Sequence, residues 1–188
     1  MKQLLAGNGA LILCAAFYLA WWVLAFKPEG AVKGLKSGWL LLPAVAFGVL
    51  ALVLICEGIS LAPDGAELFP PLSVAGAGAF LYILLLVATG LLMKRPVTAE
   101  LFLIVGWATL AVCEAGALLA LGGCGRPLAF ALVAAHVLMF IISLVCYLLY
   151  YKLDEVKGWY DGMVPLAFVL LSSVAFCLAI VTGGSQGG

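Results

Sequence analysis

The chain has 188 residues, 66% of them hydrophobic and only 10% charged, with nine basic and nine acidic side chains and a mean hydropathy of +1.27. So little charge cannot cover the surface of a water-soluble domain. No basic stripe marks a nucleic-acid partner, and no Walker A loop, dinucleotide fingerprint or H-E-x-x-H helix marks a nucleotide or zinc enzyme.

A helix needs roughly 20 mostly apolar residues to span a bilayer. Residues 3–26, 37–56, 68–93, 127–151 and 162–188 carry no charge, and 101–125 is interrupted only by Glu114. The expected fold is all-α: a polytopic membrane protein with a six-transmembrane-helix bundle. Its spans fall at about 8–26, 39–61, 74–93, 97–121, 127–151 and 160–182, so that 1–188 forms a single transmembrane domain with no room for a soluble one. The first span has no basic region beyond Lys2 and no small-x-small cleavage site before the next, so it reads as a span rather than a signal peptide. It places Cys14, Tyr18, Trp21 and Ala25 on a face, with Trp22 beside them. The second span ends in "LICEGIS" (54–60), which holds Glu57. The stretch 60–73, with Pro63, Asp64, Glu67, Pro70 and Pro71, reads as an ordered loop or turn. The third span opens on "VAGAGA" (74–79) and carries Tyr82 and Thr89. In the fourth, Glu100, Trp107 and Glu114 recur every seven residues, two helical turns apart, and so share a face. In the fifth, His136, Ser143 and Tyr150 do the same. The sixth carries Pro165 and Cys177.

The loops after the first, third and fifth spans hold Lys27, Lys33, Lys36, Lys94, Arg95, Lys152 and Lys157, against Lys2 and Arg126 on the other side. Basic residues collect on the cytoplasmic side, so both termini are expected outside. The punctuation "LAFKP" (24–28), "LLMKRP" (91–96) and "YYKLDE" (150–155) closes alternate spans, a pattern that fits three two-helix hairpin repeats.

Glu57 and Glu114 each follow a cysteine at a corresponding place late in their spans, roughly 10 Å below the outer interface on the helical rise. A carboxyl at that depth calls for a polar partner or a wet cavity. The pair could share a proton, attract a cation or respond to external acid; the structural alternative is that each reaches the headgroups or bonds a neighbouring helix. His136, the sole histidine, reads either as a hydrogen-bonded packing group or as a proton-sensitive gate, and a single histidine cannot supply the two axial ligands of a bis-histidine haem in a monomer. The six cysteines include no C-x-x-C. They read as small packing groups, with a soft-metal or thiol-exchange layer as the sharper alternative. No cofactor or metal is expected. Trp39, Tyr150, Tyr151, Trp159 and Tyr160 fit interfacial belts, whereas Tyr18, Tyr82 and Trp107 lie deeper and fit the wall of a narrow, nearly dry path.

The stretches "VAGAGAFLYILLLVATGLL" (74–92) and "RPVTAELFLIVGW" (95–107), set in six short-looped spans, resemble the amide/urea channel family (AmiS/UreI type), and the chain is similar in shape to acetate-type small permeases. It departs from the latter at its start, where "MKQLLAGNGA" stands in place of their Asn-Pro-Ala-Pro-Leu-Gly motif. The resemblance implies a homo-oligomer, a hexamer, in a prokaryotic plasma membrane with one path per protomer. The expected function is a non-enzymatic channel or facilitator for a small uncharged or weakly acidic solute of the urea, amide or short-carboxylate class. Tyr18, Trp22, Tyr82, Trp107 and His136 would line its path, and Glu57 and Glu114 would form a proton-sensing outer vestibule. Its partners would be the solute and the lipid bilayer. The alternative is an accessory or assembly subunit of a larger membrane complex. A membrane enzyme would need close cysteines or a carboxylate–histidine cluster, and the sequence offers neither.

Overall fold

Lipid gives backbone N–H and C=O groups no water to bond, so apolar runs of this length fold as helices that satisfy their backbone internally. The computed structural model describes residues 1–28, 35–62, 69–94 and 99–184. They form α1 (Lys2–Phe26), the short α2 (Leu35–Gly38), α3 (Leu41–Ser60), α4 (Pro71–Met93), α5 (Ala99–Ala120), α6 (Arg126–Leu149) and α7 (Glu155–Gly184), with a 3-10 turn at Tyr150–Lys152. The described residues are all-helical, and six helices (all but α2) are long and apolar enough to cross a membrane. Of the loop residues read above, Lys33, Pro63, Asp64, Glu67 and Arg95 lie outside the described residues.

The helix ends follow local chemistry. Pro71 opens α4 at a position where its missing N–H costs nothing. Lys94 closes α4 in a left-handed conformation, with φ at 50°. Gly122, at φ +72°, turns the chain out of α5 while the Gly123 N–H donates to the Leu118 carbonyl at 2.8 Å. Two helices begin five or six residues earlier than the sequence reading has them, and α4 begins three residues earlier, at Pro71. Nothing in "KQLLAGN" breaks a helix, so α1 starts at Lys2 rather than near 8. Asp154 starts α7 at Glu155 rather than 160: its Oδ1 accepts the Lys157 backbone N–H at 2.8 Å. That bond, and the ion pair to Lys157 Nζ at 2.9 Å, hold the Asp154 carboxyl below its ordinary range.

In the bundle α3, α4, α6 and α7 all touch α5, while α1 packs between α3 and α7. α4 packs mainly on α5, at the outside of the group. Of the consecutive long helices, α1 packs on α3, α4 on α5, α5 on α6 and α6 on α7, as short antiparallel connections favour. α5 is the axis: 56% of its most apolar window is buried, against 11–28% in the other five long helices. Cys113, Glu114, Ala115, Gly116, Ala117 and Leu118 are all buried, which means that this stretch is enclosed on every side. Small side chains make that possible, because they let several helices approach one backbone at once. On the outside, Val45, Val49 and Val53 of α3 and Phe80, Leu84 and Leu91 of α4 stand exposed. Aliphatic faces of this extent suit lipid and not water.

The α1–α3 crossing is set by Gly7 and Gly58. Leu4 and Ile55 are both 0% exposed, and each lies against the glycine of the opposite helix. A Cβ on Gly7 would stand 2.6 Å from Ile55 Cγ1 and 3.0 Å from the Ile55 backbone nitrogen, so the neighbour could not turn out of its way. Gly7→Val is therefore expected to cost about 1–3 kcal/mol by overpacking. Thermal unfolding in detergent should show a lowered midpoint, whereas Gly9→Val, with open space around it, should leave the midpoint close to wild type.

Candidate functional site

The two seven-residue rows meet at the α5–α6 interface. The Trp107 and His136 ring centroids are 5.7 Å apart, which fixes the register of the two helices. Toward the end of the bundle that carries Lys27, Lys94 and Lys152, the rows part. They leave a cavity of about 150 Å³ bounded by α1, α5, α6 and α7. Tyr18 and Trp22 of α1 line one side and Tyr147 and Tyr150 another, with Trp107 farther along the bundle. Glu100, in the first turn of α5, and Asp161 of α7 bring carboxyl groups to an otherwise apolar wall. Among the described residues, no Lys, Arg or His lines it.

Several contacts hold this wall in place. Trp22 Nε1–H donates to the Trp159 carbonyl at 3.1 Å, and its ring lies over Gly162, where any side chain would collide with it. The Trp22 ring also meets Tyr150 edge-on at 6.0 Å. Pro165 interrupts the α7 ladder beside the cavity, because it has no N–H to give the Asp161 carbonyl. The Cys146 thiol lies in hydrogen-bonding range of the Asp161 side chain. Asp161 Oδ2 and Ser143 Oγ are buried and have no partner among the described residues.

Beyond the cavity the bundle closes. His136 is 2% exposed and lies between Trp107 and Phe176, whose rings are tilted to it by 49° and 37°; the Phe176 centroid is 5.1 Å away. Its Nδ1 lies 2.6 Å from the Leu132 carbonyl, and its Nε2 meets the Ser172 hydroxyl. A carbonyl only accepts, so Nδ1 carries the proton and Nε2 of the neutral ring accepts from Ser172. Past this stack, Leu4, Ile55, Leu118, Leu132, Phe176 and Ile180 pack into one apolar core. One polar pair is set into it. Asn8 Nδ2 donates to the Leu4 carbonyl at 3.0 Å and to Glu114 Oε1. Asn8 is 1% and Glu114 2% exposed, and Asn8 Oδ1 has no partner among the described residues.

Of the residues singled out in the sequence, Tyr18, Trp22 and Trp107 line the cavity, and His136 stands against Trp107. Glu114 lies two turns farther along α5, bonded to Asn8. Tyr82 is absent from the cavity wall. It packs edge-on against Phe102 at 5.6 Å, beside the cluster of Leu101, Ile104, Val105 and Tyr147. Glu57 is exposed on α3, and the described residues do not join it to Glu114. The six cysteines are free thiols, and no three metal-ligating side chains converge among the described residues. The sequence reading missed Asn8, Asp161 and Ser172. Asn8 had a signal: it is the chain's only asparagine, inside a 24-residue uncharged run.

No protein-family model matches the chain, and no curated protein or solved structure matches it either.

A buried carboxyl that loses its partner costs more than a pair removed together. Asn8→Leu should therefore destabilise the protein by about 1–3 kcal/mol, and Asn8→Leu/Glu114→Leu should recover part of that loss. The check is a double-mutant cycle on thermal unfolding in one detergent.

Proposed function

We propose that the chain is an integral membrane channel or facilitator for a small uncharged solute of the urea or amide class. The supporting observation is the aromatic cavity that opens toward one end of the bundle, with the buried His136–Ser172 and Asn8–Glu114 pairs beyond it. Urea and amides are N–H donors, and the acceptors of Glu100 and Asp161 suit them. Among the described residues the cavity wall offers no cation to an anion, so in this reading a short carboxylic acid passes only in its neutral form. Such passage needs selection by diameter and by lining groups rather than covalent chemistry. In this reading the Lys-rich end faces the cytoplasm of a prokaryotic cell, both termini face outside, and copies assemble as a homo-oligomer, a hexamer by the family resemblance, with one path per protomer. The Trp107–His136–Phe176 stack is its closed gate, and Glu114 and His136 are the buried titratable groups through which flux would respond to pH.

One observation favours a second reading, an accessory subunit of a larger complex. Among the described residues, the Trp107–His136–Phe176 contact and the apolar core behind it fill the bundle past the cavity, which suits a packed subunit.

Stopped-flow solute uptake in proteoliposomes separates the two. Channel function predicts protein-dependent uptake of urea and acetamide that rises several-fold in Trp107→Ala, and whose difference between external pH 5 and 7 shrinks in Glu114→Gln. Uptake equal to that of empty liposomes, in wild type and Trp107→Ala alike, would favour the subunit.

A further inference from the structure

The cavity has a chemical bias that a path for neutral solutes does not require. Every charged group on its described wall is a carboxyl, Glu100 or Asp161, and its aromatic faces come from tyrosine and tryptophan. Ser143 adds an independent observation. It lies mid-helix in α6 at 0% exposure, on the cavity wall, and its hydroxyl has no partner among the described residues. A serine in that position ordinarily bonds the carbonyl four residues back, as Ser173 does to Val169 at 2.9 Å. Ser143 does not, and Asp161 Oδ2 is likewise unpartnered. Buried polar atoms left open toward a cavity await an occupant. The carboxyl groups fix that occupant's sign.

We infer that this cavity is a binding site for a small alkylammonium ion, seated against Trp22 and Trp107 with its charge answered by Asp161 and Glu100. The two contributions are complementary. Aromatic faces attract an organic cation through the ring quadrupole, more strongly where water is excluded, and carboxylates add direct charge pairing. Two carboxyl groups without a third ligand make a poor site for a divalent metal ion, which takes six or more oxygens; an organic monocation needs only one counter-charge and a greasy wall. At about 150 Å³ the space suits an ion with few carbons. Trp22 is already anchored by its bond to the Trp159 carbonyl, so little ordering is lost on binding. An ammonium ion held here would occupy the cavity and compete with any neutral N–H donor that uses it.

The test is binding, with no flux involved, so it stands apart from the transport reading. The full chain in detergent is titrated with tert-butylammonium chloride, whose N–H groups can reach Asp161 and Ser143, and in parallel with the near-isosteric neutral tert-butanol and anionic pivalate, at constant ionic strength. Quenching of the tryptophan emission is the readout. Saturable quenching by the cation is expected, with tert-butanol at least about tenfold weaker and pivalate without effect. Glu100→Gln/Asp161→Asn should weaken the cation about tenfold or more, while tert-butanol is unchanged. Circular dichroism and a single size-exclusion peak establish that the variant is folded; where it is not, the three-ligand series on the wild-type chain decides alone. No saturable response to the cation would overturn the proposal. So would tert-butanol or pivalate binding as tightly as the cation, or a folded variant that binds the cation like wild type.

Discussion

A carboxyl enclosed by apolar side chains must find a partner, and the Asn8–Glu114 hydrogen bond meets that demand. It ties α1 to α5 across the most tightly packed part of the bundle. Glu114 is flanked by residues that are buried on every side, so the helices around it could not close unless its oxygens were answered. The α1–α3 crossing at Gly7 and Gly58 brings the N-terminal turns of α1 into the core, where Leu4 packs and Asn8 reaches Glu114. Without that crossing the amide would lie in lipid and the carboxyl would have no donor. The tie therefore helps set how α1 stands against the rest of the bundle, and so where Tyr18 and Trp22 present themselves two to four turns farther along.

The two halves of the bundle have different characters as a consequence. In one half, small residues on α5 let α3, α6 and α7 close around it, and the interior is dry apart from one amide and one carboxyl. In the other half, large aromatics replace the small residues and hold the helices apart. Trp22 over Gly162, Tyr150 against Trp22, and Pro165 in α7 leave a space that the chain does not fill. The stack of Trp107, His136 and Phe176 separates the halves. On the proposed reading, this division would serve a facilitator at rest, with a mouth open at one end and a seal at mid-depth.

Much of this was legible in the sequence. The six long helices follow from uncharged runs of bilayer length, and the inward rows of α5 and α6 follow from the seven-residue spacing of Glu100, Trp107 and Glu114 and of His136, Ser143 and Tyr150. What spacing does not encode is which helix lies opposite. Glu57 and Glu114 look alike locally, each after a cysteine in an apolar helix, yet the face α3 turns inward is Ala44, Ala51, Ile55 and Gly58. Glu57 lies about 100° round the helix from Gly58 and so falls outside that face. Tyr82 has the same history: α4 packs on α5 from outside the group, so its aromatic row meets Phe102 and not the cavity. Asn8 and Asp161 were missed because both sit near helix starts that the sequence reading placed five or six residues too late. Helix ends depend on single caps such as Asp154, which hydropathy does not register.

The central claim is that the interior is reached from one end and sealed at the aromatic stack. The most direct measurement is thiol accessibility in a chain whose native cysteines have been replaced. Leu103→Cys and Val169→Cys place a thiol in the cavity wall, and Leu132→Cys places one in the core past His136. With a membrane-impermeant thiol reagent, the two cavity positions should react only when the Lys-rich end faces the reagent, and Leu132→Cys should react from neither side. Reaction of Leu132→Cys from the opposite side, or of the cavity positions from both sides, would contradict the account.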